Sequence, residues 1–245
     1  YKAGCTNILA LRGDPPREKE KWEATEGGFH YAKDLVKHIR DTYGNHFDIG
    51  VAGYPEGCDD QDDPELLLEH LKQKVDAGAT FIVTQMFYDA DNFINWMGKV
   101  RAKGITIPIV PGIMPINTYA SFLRRCNHMG CKIPPDWSAA LEKVKNDDAA
   151  VRNIGTGLVT EMCRKLLAAG IHHLHFYTMN LAQATRMLLE ELNLGAEKKM
   201  SVPFSGRTET SHTSHEHKIG MSFPTADGVI RDRLLSENWM RMVLA

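Results

Sequence analysis

In "NILALRGDPP", residues 7 to 16, two polar side chains separated by a glycine stand at the end of an apolar run. Arg12, Gly13 and Asp14 follow Asn7–Leu11, and Pro15 and Pro16 stop the chain. An arginine and a carboxylate side by side have the chemistry to address a charged cofactor; the alternative is a turn in which Asp14 caps local N–H groups. Gln85 stands near the end of the otherwise apolar run "FIVTQMF". A buried glutamine must find hydrogen-bond partners, either backbone or the amide-like edge of a heterocycle. Lys74 lies on a helix, where a lysine is ordinarily a solvated face residue and matters only if it bends towards a phosphate. Tyr54 and Tyr177 stand beside strand ends, as core or as the lining of a ring-binding pocket.

These groups need a frame, and the chain alternates between two periodicities. Apolar runs at Asn7–Leu11, "FDIGVAGYP", "FIVTQMFY", "IPIVPGIMP" and "IHHLHFYTMN" predict strands. Helical patterns follow in "GGFHYAKDLVKHIRDTYG", "PELLLEHLKQKVDAGA", "DADNFINWMGKVRAKG", "NTYASFLRRCNHMG", "PPDWSAALEKV", "DDAAVRNIGTGLVTEMCRKLLAAG" and "LAQATRMLLEEL". Pro64 opens the second helix, Asp89 or Asp91 caps the third, and Gly155 and Gly157 weaken the long sixth one slightly. Strands alternating with helices imply βαβ units and a parallel sheet covered on both faces. A doubly wound open sheet and a (β/α)₈ barrel both satisfy this pattern. In either, functional groups collect at the carboxyl ends of strands, where Arg12, Tyr54, Gln85 and Tyr177 fall. The sequence supplies five βα units, against the eight of a closed barrel. From about residue 196 the chain turns rich in Ser, Thr, His and Gly without periodicity, and 196–245 reads as a linker or flexible tail.

Composition removes several function classes. With 43% hydrophobic and 24% charged residues, the chain has the makeup of a soluble globular protein. Its 29 basic and 31 acidic residues give no basic field for nucleic acid. No apolar run approaches the ~20 residues of a membrane span, and no secretory signal is visible. Five scattered cysteines fit free thiols in a reducing compartment, hence the cytoplasm. Cys126, His128 and Cys131 have a faint metal-like spacing without a second ligand pair, and His212, His215 and His217 belong to the tail. There is no G-x-G-x-x-G, no G-x-x-x-x-G-K-[ST] and no legible Ser-His-Asp spacing.

Taken together, "LALRGDPP", "EGGFHYAKDLVKHIR", "FDIGVAGYPEG", "LKQKVDAGATFIVTQMFYD", "IPIVPGIMPI" and "NDDAAVRNIGTGLVTEMCRKLLAAGIHHLHFYTMN" closely resemble the catalytic domain of methylenetetrahydrofolate reductases, in the eukaryotic and particularly fungal branch. The resemblance runs from about residue 5 to 195. It implies a (β/α)₈ barrel that binds FAD at the carboxyl ends of its strands. In that family NADPH or NADH reduces the flavin, which then reduces 5,10-methylenetetrahydrofolate to 5-methyltetrahydrofolate. By resemblance, Arg12, Gly13 and Asp14 contact FAD, and Asp14 also meets the folate as the catalytic carboxylate. Tyr31, Ala32, Tyr54, Cys58 and Lys74 stand on FAD-contact positions, Gln85 on the position that hydrogen-bonds the pterin, and Tyr177 in the folate site. A carboxylate beside the flavin favours hydride donation and stabilises the cationic iminium formed when the folate ring opens.

The departures are specific. Many members have histidine where Cys58 stands, an acidic residue where Leu67 stands, and, in the bacterial branch, arginine where Leu181 stands. The family's first three βα units, with the glutamate that acts as general acid, find no counterpart before residue 7. The expected organisation is therefore the C-terminal portion of the catalytic barrel over 1–195 and a tail over 196–245. Two readings follow: a flavin-dependent reductase, as a possible homodimer, or a non-catalytic barrel fragment that associates with intact subunits. By itself the stretch 1–245 is expected to be inactive, with Ile8, Ile49 and Ile82 facing inward without the side-chain layers that opposite strands supply.

Overall fold

The computed structural model describes residues 1–13, 23–58 and 63–194. Asp14 and the tail from residue 195 onward lie outside the described residues. Five strands, β1 (Asn7–Ala10), β2 (Asp48–Gly53), β3 (Phe81–Met86), β4 (Ile109–Ile113) and β5 (His175–Phe176), form one parallel sheet. Their order in space is their order in the chain. Parallel crossovers are right-handed, so an order without reversal puts every connecting helix on the same face. A doubly wound sheet needs a reversal of strand order. The sheet is therefore an arc of a (β/α)₈ barrel, five strands long.

Helices α1 (Ala32–Tyr43), α2 (Pro64–Asp76) and α3 (Ala90–Ala102) each follow a strand directly. Three helices, α4 (Tyr119–Met129), α5 (Pro135–Glu142) and α6 (Asp148–Ala168), lie between β4 and β5, and α7 (Ala182–Glu191) follows β5. Their starts obey side-chain capping chemistry: Asp63, Asp89 and Asp147 each accept two backbone N–H groups, and Thr118 accepts one. Asp89, not Asp91, is thus the cap of α3. Gly155 lets α6 approach the loop after β4, since a Cβ there would lie 2.7 Å from Ile116. At the amino ends of the strands, Arg40 donates to Gly78 O at 2.7 Å and Phe47 O at 2.7 Å, bracing the loops opposite the face where ligands collect.

The pleat differs from expectation by one position. Ile49 and Ile82 are fully buried, with Ile8 packed beside them, in the main core that contains Val36, Leu71 and Phe93 of the helices. The opposite face carries Leu9, Phe81, Val83 and Val110, which form a separate cluster. Gly50 lies in register between Leu9 and Phe81, where a Cβ would stand 2.4 Å from the Phe81 ring. So Leu9, Phe81, Val83 and Val110, not Ile8, Ile49 and Ile82, point into the barrel. A strand apolar on both faces has no alternation to set its phase.

β5 is also shorter than its sequence pattern predicts. The chain leaves the sheet after Tyr177, whose N–H still donates to Ile113 O at 2.9 Å. Met179 (φ 49) and Asn180 (φ 59) then take left-handed conformations that turn it into α7.

Candidate functional site

The carboxyl ends of β1, β2 and β3 open into a cavity of about 510 Å³, within the range of small-molecule and cofactor sites. Each wall comes from a different element. Arg12 arrives from the end of β1, and Tyr31 and Ala32 from the start of α1. Tyr54 and Cys58 come from the turn after β2, Lys74 from α2 and Gln85 from β3. The far side is closed by His128 and Met129 at the end of α4.

Lys74 is not a solvated helix residue. Its Nζ donates to Ala52 O at 2.6 Å and sits 5.4 Å from the centre of the Tyr54 ring. Burial lowers its pKa to about 8, against a smaller opposing effect of Cys58. A lysine is held this way only if the fold forces it, because the ammonium loses its hydration. Tyr31, in contrast, is 63% exposed at the mouth. Its N–H donates to Asp34 at 3.1 Å as α1 begins, and Lys33 lies over its ring at 5.6 Å. Lys33 in turn donates to Gln73 of α2 at 2.8 Å, linking two walls. Among the described residues, the lining holds Arg12, Lys33 and Lys74 but no carboxylate. That balance suits an anionic ligand, and the exposed Tyr31 ring offers a stacking surface.

Gln85 is held by two weak contacts. Its Oε1 accepts the Met86 N–H at 2.9 Å, and its Nε2 donates to Met129 Sδ at 3.3 Å. The backbone alternative is therefore half right, since one end of the amide is taken up locally. Its other partner, a thioether, is a poor acceptor.

Of the residues expected to bind cofactor or folate, seven line this one cavity: Arg12, Tyr31, Ala32, Tyr54, Cys58, Lys74 and Gln85. Gly13, at φ +76, follows Arg12 but is not in the wall. Asp14 lies outside the described residues. Tyr177 is not in the wall either: its hydroxyl donates to Thr84 O at 3.0 Å, and burial pushes its pKa up to about 12. Sequence reasoning missed Lys33, His70, Gln73 and Met129 of this wall, and weighed His128 only as a metal ligand. For His70 a signal existed, because Leu67, His70 and Lys74 repeat at helical spacing on one face of α2. For His128 and Met129 there was none, since they reach the cavity only through the path of α4.

Cys126 and Cys131 serve packing. Cys126 is buried, and the Cys131 thiol donates to Met86 O at 3.1 Å. Among the described residues no three His, Cys, Asp or Glu side chains cluster as metal ligands, and no described helix is long and apolar enough to cross a membrane.

Fold and cavity together define a (β/α)-barrel protein with a cofactor-sized cavity, lined by cationic side chains, at its strand ends. The chain belongs to the methylenetetrahydrofolate reductase family, whose model matches residues 1–193. It is 60% identical to methylenetetrahydrofolate reductase 2 of Saccharomyces cerevisiae over 198 residues, which is 79% of this chain and 33% of that protein. It is 52% identical to methylenetetrahydrofolate reductase 1 of Schizosaccharomyces pombe over 218 residues, 89% of this chain and 36% of that protein. Methylenetetrahydrofolate reductase (NADH) 1 of Zea mays is 49% identical over 217 residues, 85% of this chain and 37% of that protein. The chain thus spans about a third of the length of the curated relatives it matches.

Proposed function

We propose that this chain supplies part of the active site of a flavin-dependent reductase, one that converts 5,10-methylenetetrahydrofolate to 5-methyltetrahydrofolate with NAD(P)H. The observation that supports it is the cavity itself, which collects seven residues standing on family ligand positions from five separate elements. Its cationic lining without a described carboxylate fits the pyrophosphate of FAD, and the half-buried Tyr54 and exposed Tyr31 fit its rings. A bound FAD would supply the hydride relay between the nicotinamide and the folate.

The chain's own residues then have separate tasks. Arg12, exposed beyond the end of β1, and the buried Lys74 hold negative charge, and at Lys74 a charge contact is stronger than in water. Gln85 presents an uncharged amide whose donor end exchanges Met129 Sδ for a pterin edge. Asp14, carried one residue beyond Gly13 at the end of β1, provides the carboxylate that stabilises a cation developing on the folate. Tyr177 acts indirectly, fixing the end of β3 next to Gln85 through Thr84. The donor is left as NADH or NADPH, because the relative in Zea mays is named for NADH and one in Caenorhabditis elegans for NADPH. No disulfide joins the five cysteines, which supports a reducing, cytoplasmic location.

The test is reconstitution. The full-length protein should be purified, stripped of bound ligand and titrated with FAD. Saturable binding that perturbs the visible flavin spectrum is expected. A protein that neither copurifies with flavin nor takes it up contradicts the reading.

A further inference from the structure

The turn after β2 carries a carboxyl group that the cavity does not use. Glu56 sits between Tyr54 and Cys58 and points away from the lining, towards the end of α4. Its Oε2 accepts the Lys132 N–H at 3.1 Å, a contact between residues 76 apart in the chain. Its Oε1 is buried and faces the Asn92 side chain at the start of α3. A buried carboxyl group is costly unless its oxygens are paired, so a fold that keeps one needs a reason. The groups facing Glu56 are the Lys132 ammonium, Asp89 and Asn92 at the start of α3, and the Cys126 and Cys131 thiols. Burial is the largest influence, and it raises the carboxyl pKa above the ordinary value.

The partner segment explains the placement. Lys132 follows α4, whose last turn puts His128 and Met129 in the cavity wall. Between them, Gly130 closes the helix in a left-handed cap, and the Cys131 thiol pins the chain to Met86 O at the end of β3. The segment 128–132 is therefore tethered to β3 by Cys131 and by the Gln85–Met129 contact. Its link to β2 runs through Glu56. We propose that Glu56 is a positioning residue that sets the spacing between two walls of the cavity, the β2 turn with Tyr54 and Cys58 and the end of α4 with His128 and Met129. Without that acceptor the Lys132 N–H turns to water, and the turn and the helix end move independently.

The proposal rests on the flavin reading only in its second test. The first is hydrogen–deuterium exchange of the ligand-free full-length protein, comparing wild type, E56A, E56D and E56Q. In E56A, peptides over 54–58 and 128–132 are expected to exchange about tenfold faster, with the β4 peptide unchanged. E56D falls one methylene short of the Lys132 N–H and is expected to loosen the same two segments, which keeps the test open where E56A does not fold. E56Q keeps a carbonyl acceptor and is expected to stay within about twofold of wild type. The second test is FAD affinity, expected to weaken about tenfold in E56A and by less than about threefold in E56Q. Exchange that changes in one segment alone, or loss in E56Q equal to that in E56A, overturns the proposal. So does unchanged affinity in a variant with both walls loosened. A wild-type protein that binds no FAD defeats the flavin reading, and the exchange comparison then decides the positioning role alone.

Discussion

Replacing Lys74 with methionine should separate stability from binding. The ammonium of Lys74 is buried against Ala52 O and the Tyr54 ring, and burial takes its pKa from 10.5 to about 8. That fall corresponds to a cost of about 3 kcal/mol for keeping the group charged in the ligand-free protein. Lys74→Met removes the cost while preserving most of the side-chain volume. It also leaves Ala52 O without its donor, a loss of about 1–2 kcal/mol. The balance predicts a ligand-free variant as stable as wild type, or more stable by about 1–2 kcal/mol. FAD affinity should fall in the same variant by about 10- to 100-fold, the value of a charge-assisted contact of about 1.5–3 kcal/mol. The pH dependence gives a second signature. Because the folded-state pKa lies below the unfolded one, the unfolded chain binds more protons between about pH 8 and 10.5. Wild-type stability should therefore gain a contribution as pH rises through that window, and the gain should be missing in Lys74→Met. Denaturant melts of the ligand-free full-length protein, with flavin titrations alongside, measure both quantities. A variant destabilised by more than about 2 kcal/mol with unchanged flavin affinity would show that Lys74 is a structural brace, and the reasoning would fail.

Other consequences are equally concrete. Gln85→Leu removes the amide that meets Met129 and should weaken folate binding about tenfold while leaving flavin affinity within about threefold; equal losses for both ligands would deny Gln85 a folate-specific role. Gly112→Ala puts a Cβ 2.2 Å from Thr84 O and 2.6 Å from the Tyr177 ring, and should lower stability by about 1–3 kcal/mol in a thermal melt; an unchanged melting temperature would mean the β3–β4 spacing is looser than described. His175 is buried and its pKa is lowered to about 4, so the unfolded chain binds more protons between pH 4 and 6.5. Stability should fall as pH drops through that window, and His175→Gln should flatten the acid limb; an identical limb would show that His175 titrates as an exposed histidine does.

Much of the fold was legible because strands and helices differ in period and because Asp63, Asp89 and Asp147 mark helix starts by their own chemistry. The barrel arc was not legible from the pattern alone, since helical spacing does not disclose strand order. That came from the pairing of β1 through β5 in chain order. The inward set was misjudged at Ile8, Ile49 and Ile82 because Gly50 beside Ile49, and Phe81 and Val83 beside Ile82, are also buried. The site divides in the same way. Arg12, Tyr54 and Gln85 were visible as polar or aromatic groups at strand ends, while His128, Met129 and Glu56 depend on where α4 travels, a tertiary matter. Lys74 looked like a surface lysine because nothing local reveals that Ala52 O lies within reach.

An anaerobic titration of the FAD-loaded full-length protein follows the proposed hydride relay step by step. NAD(P)H is added until the visible flavin band bleaches, excess donor is removed, and methylenetetrahydrofolate follows. Stoichiometric return of the band with formation of 5-methyltetrahydrofolate is expected, with a slower return in Asp14→Asn. A band that NAD(P)H bleaches but methylenetetrahydrofolate does not restore would contradict the relay.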